Sequence, residues 1–257
     1  MTKRILLTGA SGGIGRAIAV RLANDGHRLT LVGRDADRLD ALLSMLSGSH
    51  ESLIQDLAAA DAGVRIVDAL GDVTPDILIN CAGIQSLQRF DASDWALVER
   101  LMRINLLTPM ALIHALLPRL KAGSHIINIG SVLGEIGYPG YVAYGASKGG
   151  LMRFSEALRR ELQDTGIRVS WLAPRATDTA LNSPEANDLN RALGNRVDDP
   201  SVVAEAVAEL IASPKSSRVL GFPEALFTRI NALLPRVVDG AISKQLDTIK
   251  AHLEEKS

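Results

Sequence analysis

The chain is short of several things, and each shortage closes off a class of function. It holds one cysteine, Cys81, in 257 residues, so no intrachain disulfide can form and a disulfide scaffold is excluded. Its five histidines (His27, His50, His114, His125 and His252) are scattered without the spacing of a metal site, and no metal is expected. Aromatic residues make up only 4%, and a net charge of −1 gives no global field to recruit nucleic acid or an anionic membrane. No unbroken apolar run reaches the roughly 18 residues of a membrane span, so none is expected. The first strand is expected from Arg4 or Ile5, leaving no room for a leader before it. The cytoplasm is therefore the expected compartment.

What is present describes an α/β protein. Hydrophobic residues reach 47% and charged residues 22%, ordinary for a folded domain with a sizeable core. Short apolar runs alternate with longer amphipathic stretches. Strands are expected at Ile5–Thr8, Arg28–Gly33, Ser52–Gln55, Asp76–Asn80, His125–Gly130 and Ile167–Leu172. Helices are expected at Ile14–Asp25, from Ala36 to about Leu46, from Trp95 to about Leu120, and at Ala146–Asp164. Continuous apolar strands joined by helices imply a doubly wound, Rossmann-like parallel sheet with helices on both faces. Without repeats or a linker, one domain over residues 1–257 is expected. Thr177–Pro200 is polar and irregular, a candidate lid at the carboxyl edge of the sheet, with a disordered surface loop as the alternative.

Two ends of the chain carry chemistry. Thr8-Gly-Ala-Ser-Gly-Gly-Ile-Gly15 lies between the first strand and its helix. Gly9, Gly12, Gly13 and Gly15, with Ser11 and Ile14, would let the backbone turn tightly and let phosphates approach the helix N-terminus. Strand 2 ends Val32-Gly33-Arg34-Asp35. A glycine where a carboxylate would repel a 2′-phosphate, followed by an arginine able to pair with one, favours NADP(H) over NAD(H). Asp35 either caps the next helix or faces the ribose.

Farther on, Tyr144 and Lys148 lie one turn apart on a helix, and Ser131 follows strand 5. A free tyrosine, with a pKa near ~10, is a poor proton shuttle at neutral pH, and an ammonium group beside it would lower that value. Ser131 can donate to a substrate oxygen where charge develops.

In combination these residues resemble the short-chain dehydrogenase/reductase family, over about residues 4–180. The motifs are the glycine segment, Asp56-Leu57, Asn80-Cys-Ala-Gly83, Asn105, Ser131 and Tyr144-x-x-x-Lys148. The resemblance implies that Asp56 meets the adenine, that Leu57 beside it binds the cofactor, and that Asn80, Ala82 and Gly83 line the cofactor. Asn105 would hold a water joining Lys148 to solvent, Lys148 would also bind the ribose, and Tyr144 would exchange the substrate proton. Thr179 would lie near the nicotinamide carboxamide, and Pro174 and Thr177 would also bind the cofactor. The chain departs from the family at Cys81, expected to be a small buried side chain, and at Arg175, which follows Pro174 and is a candidate contact for an acidic substrate or the cofactor.

A third departure is the C-terminus. Beyond a last strand near Val219–Pro223, apolar residues from Leu226 to Val238 recur at helical spacing around Pro235, a helical extension over residues 219–257. Packing on the core or a partner subunit is expected first, a lid over a lipophilic substrate second, and membrane-surface docking third. A homodimer through the two long helices is expected. The implied activity is an NADP(H)-dependent exchange of hydride between nicotinamide and a carbonyl or alcohol. A non-catalytic NADP(H) sensor is the opposing class, and an epimerase or dehydratase is a third.

Overall fold

Seven parallel strands form one sheet in the order β3-β2-β1-β4-β5-β6-β7, in a computed structural model that describes residues 1–254. The strands are β1 Arg4–Thr8, β2 Arg28–Gly33, β3 Glu51–Ile54, β4 Ile77–Asn80, β5 His125–Ile129, β6 Arg168–Ala173 and β7 Ser217–Val219. Alternation along each strand sends side chains to opposite faces. Ile5 and Leu7 point to one face with Leu29, Leu31, Ile77 and Ile79, and Leu6 points to the other with Leu78 and Ile126. Both faces are therefore apolar, and both must be covered.

Helices do this. On the first face lie α1 (Gly13–Asn24), α2 (Ala36–Leu43) and α8 (Pro200–Ala212), through residues such as Ile18, Leu39 and Val207. On the second lie α3 (Ala62–Ala69), α5 (Thr108–Leu116) and α6 (Val142–Glu161), through Ile66, Leu112 and Leu158. Helix α3 was not anticipated from the sequence. It packs so closely on α5 that a Cβ at Gly63 would lie 2.6 Å from the Leu112 amide.

The expected helix from Trp95 is a composite. It runs as α4 (Trp95–Met102), one turn of π-helix (Arg103–Leu107) and α5, ending in a short tight turn at Arg119. Its 25 residues are long and apolar enough to cross a membrane, with mean hydropathy 1.3 over the richest window. Leu101, Ile104, Leu112, Ile113 and Leu116 are nonetheless buried in the protein, as in a core helix.

The polar segment after β6 is partly helical. Ser183 caps α7 (Pro184–Ala192), accepting from the Ala186 amide at 3.3 Å, and Leu189 is buried beneath it. The sequence pattern missed this helix because its exposed positions are nearly all polar. The C-terminal extension is three helices: α9 (Glu224–Leu233), α10 (Pro235–Ser243) and α11 (Leu246–Glu254). Pro235 starts α10, as expected of a bend. Val238, Ile230 and Ile242 pack on Val132 and Ile136 just beyond β5, which seats the extension on the core. The last three residues of the expected extension lie outside the described residues.

Candidate active site

The strand order reverses direction between β1 and β4, and the carboxyl ends of these strands open a crevice of the kind where such sheets bind ligands. Thr8 closes its floor, its Oγ1 accepting from the amides of Cys81 at 3.2 Å and Ala82 at 3.3 Å. Gly9 then turns the chain at φ +69°, and a Cβ there would lie 2.6 Å from Ala82 Cα. The helix behind the loop begins at Gly12, which gives no side-chain cap, and its first turn has no acidic residue. Its amides and dipole are thus left for an anion. A Cβ on Gly13 would fall 2.6 Å from Thr179, and one on Gly33 would fall 3.2 Å from Ser11 Oγ. Glycine is what keeps the space between these segments open, and this cradle fits a dinucleotide.

At the end of β2, Asp35 is committed to its helix. It caps α2 by accepting from the Arg38 amide at 3.1 Å and pairs with the Arg38 side chain. Arg34 beside it is exposed, and no ion pair is made by it among the described residues. Asp56 is likewise exposed, its Oδ1 accepting from Ala58 N at 3.0 Å, while the Leu57 carbonyl accepts from Thr108 at 2.7 Å. Asn80 turns its side chain into the β4–β5 seam, donating to Asn128 at 2.9 Å.

The candidate catalytic residues converge from three elements. Ser131 follows β5, and its Oγ accepts from the Leu133 amide at 3.1 Å. Tyr144 and Lys148 lie on α6, both buried. Asn105 sits in the π-turn, fully buried, its amide exchanging hydrogen bonds with Ile84 N at 2.9 Å and Ile84 O at 2.8 Å. Gly83 fills the gap between Asn105 and Lys148, where a Cβ would lie 3.3 Å from both Asn105 Oδ1 and Lys148 Nζ. The π-turn has a sequence origin no periodicity shows, and such turns are frequent at functional sites.

Charge in this corner differs from the simple expectation. Burial pushes the Tyr144 phenol up to about 12, against the opposing pull of its hydrogen bond with Ser131. Lys148 is turned to the strand, its Nζ donating to the Ile129 carbonyl at 3.0 Å. Burial also brings Lys148 down to about 8. The resting tyrosine therefore keeps its proton. Cys81 is pushed up to about 12 by burial and remains a thiol, not a nucleophile.

Above Ser131 and Tyr144 opens a cavity of about 300 Å³. Ile14, Pro174, Thr177 and Thr179 border it on the nucleotide side. Residues the sequence had not singled out line the rest: Tyr138 and Tyr141 from the segment before α6, Leu189 and Leu193 from α7 and its end, and Gln245 before α11. Tyr138 donates to Gln245 at 3.0 Å, so the extension closes the cavity as well as packing on the core. These contacts join residues far apart in the chain, and no local spacing announces them. Arg175 is not free to meet a ligand's acid, because it is paired with Asp198 at 2.7 Å and Glu224 at 3.1 Å.

A family model described as short chain dehydrogenase matches residues 3–190. Sulfoacetaldehyde reductase of Chromohalobacter salexigens is 40% identical over 192 residues, covering 70% of this chain and 74% of that one. A short-chain dehydrogenase from Sphingobium yanoikuyae, solved in complex with NADPH, has TM-score 0.77 and 30% identity over 95% of each chain. Another from Burkholderia cenocepacia, solved in complex with NADP, has TM-score 0.79 and 27% identity, over 87% of this chain and 98% of that one. With the crevice, the buried tyrosine and the parallel sheet, these likenesses place the chain in the short-chain dehydrogenase/reductase family, as an NAD(P)-using oxidoreductase acting on a CH–OH/C=O pair.

Proposed function

We propose that this protein is an NADP(H)-dependent carbonyl reductase or alcohol dehydrogenase with Tyr144 as general acid/base. The observation that carries the proposal is the convergence of Ser131 and the neutral, buried Tyr144 on one wall of the cavity, beside the glycine cradle. The nicotinamide, when bound, supplies or takes the hydride. Ser131 would hydrogen-bond the carbonyl oxygen, Tyr144 would give it a proton as negative charge gathers there, and Lys148 and Asn105 would pass a replacement proton inward. In alcohol oxidation the same proton returns to Tyr144.

Gly9, Ser11, Gly12, Gly13, Ile14 and Gly15 would hold the diphosphate. Asp56 and Leu57 would meet the adenine, and the backbone of Asn80, Ala82 and Gly83 the middle of the cofactor. Lys148 would hold a ribose, and Pro174, Thr177 and Thr179 would close over the nicotinamide. Asp35 is spent on capping α2 while the neighbouring Arg34 makes no ion pair among the described residues, which supports NADP(H) over NAD(H). The chain would act as one cytoplasmic domain carrying its helical extension, and as a homodimer through the helices at Trp95–Arg119 and α6, where Trp95, Leu107 and Val142 are exposed.

The relative named for sulfoacetaldehyde acts on an anionic aldehyde; offered to this chain, that substrate would meet a cavity whose buried arginine is already paired. Purified protein should oxidise NADPH faster than NADH against a panel of aldehydes and ketones. Tyr144→Phe should lower kcat by about 10²–10⁴-fold without loss of folding. Equal turnover by Tyr144→Phe would remove the tyrosine from the chemistry. NADPH binding without turnover on any substrate would favour the sensor.

A further inference from the structure

Arg175 stands where three segments of the cavity wall meet. Its Nε donates to Asp198 Oδ2 at 2.8 Å, its Nη2 to Asp198 Oδ1 at 2.7 Å, and its Nη1 to Glu224 Oε2 at 3.1 Å. The side chains are 7%, 11% and 24% exposed, so the triad is largely out of water. The stem of Arg175 lies against Gly221, where a Cβ would come within 2.8 Å of Arg175 Cδ and 2.9 Å of Glu224 Oε2. Gly221 has φ +91°, a second reason for glycine there. Asp198 also closes the base of the polar loop: its amide donates to Ala176 O at 2.9 Å, and its carbonyl accepts from Asp178 N at 2.9 Å. One guanidinium thus joins the exit of β6, the base of the loop and the first turn of α9.

The triad also sets the charge of the wall. One buried guanidinium meets two carboxylates, Glu224 on the cavity wall and Asp198 behind it, so an anionic group arriving there must displace Glu224 or sit beside a triad of net negative charge. Arg196 borders the cavity too, but it is 78% exposed, and its Nε is 4.0 Å from Asp198 Oδ1. At such a rim its attraction is weakened by water and salt. Much of the remaining wall is apolar, with Ile136, Leu189, Phe227, Val238 and Ile242.

We propose that the Arg175–Asp198–Glu224 triad is a specificity determinant that selects uncharged carbonyl compounds with an apolar body and rejects those bearing a carboxylate, phosphate or sulfonate. The proposal rests on the reductase function above and names its substrate class.

The test uses the full chain with NADPH and a matched pair: a medium-chain keto ester, and the keto acid of the same skeleton. Wild type should favour the ester by roughly tenfold or more in kcat/KM. Glu224→Gln removes one negative charge while keeping the side chain's size, and should narrow that ratio through the acid's KM rather than its kcat. Arg196→Gln should move the ratio less. Calorimetry of the corresponding hydroxy ester and hydroxy acid on wild type needs neither turnover nor a folded variant. Tighter binding of the hydroxy ester with no reduction of any ketone would uphold the charge selection and remove the reductase function. Preference for the acid, a ratio that Glu224→Gln leaves unmoved, or binding of the acid as tight as the ester or of neither, would overturn the proposal.

Discussion

Tyr144 and Lys148 show how one buried corner sets two proton affinities in opposite directions. Desolvation penalises whichever form is charged, so the phenol rises and the ammonium falls. Lys148 has a folded value of about 8 against an ordinary value of 10.5. Between those pH values the unfolded chain binds more protons, so folding gains as pH rises through that window, and the protonated lysine is a burden at pH 7. Lys148→Met should abolish reduction while leaving the melting temperature at pH 7 equal to or above that of wild type. The gap should shrink on approaching pH 10. A lower melting temperature for the variant at pH 7 would show that the hydrogen bond to Ile129 outweighs the cost of burying the charge. The motif made both residues legible in sequence, but not their affinities, which depend on surrounding atoms contributed by distant segments.

At the scale of elements, β5 pairs with β6 from His125 opposite Arg168 onward. His125 is buried with its ring at 2.8 Å from Ser170 Oγ, and burial lowers it to about 4 from 6.5. The folded form resists protonation that the unfolded chain accepts, so this contribution is whole above pH 6.5 and is lost as pH falls toward 4. Melting temperature should decline over that window, and His125→Gln should flatten the decline. An unchanged slope in the variant would assign acid sensitivity to the carboxylates. Strand positions were legible because a sheet covered on both faces needs near-continuous apolar runs, as in Ile77–Asn80 and His125–Ile129. Helix α7 was not, since the burial that stabilises it comes from Leu189 and Ala186 meeting parts of the chain far away in sequence. The π-turn at Asn105 was hidden for a related reason: its extra residue interrupts a helix without changing the residue types around it.

For the molecule as a whole, the extension ties the far side of the cavity to the sheet. Ile249 in α11 is fully buried, and α11 packs on α7. Ile249→Ala should cost about 2–5 kcal/mol locally and loosen both helices. The expected kinetic result is a raised KM for the carbonyl compound with little change in NADPH affinity, measured by steady-state assay and fluorescence titration. Weakened NADPH binding to the same degree would mean that the extension supports the whole crevice. Light scattering should give a particle of twice the 27.4 kDa chain if the long helices pair as proposed, and a single-chain mass would rule that pairing out.

The loop between Thr177 and Asp198 leaves the sheet edge and returns to it at one point, where the two residues pair side by side. Beyond Thr179, which borders the glycine cradle, a stretch tied in this way can vary without shifting strand register or moving Ser131, Tyr144 and Lys148. Under the proposed function, the reaction and the choice of what undergoes it are then written in separable parts of the chain. Mutation can revise the second while the first is inherited intact.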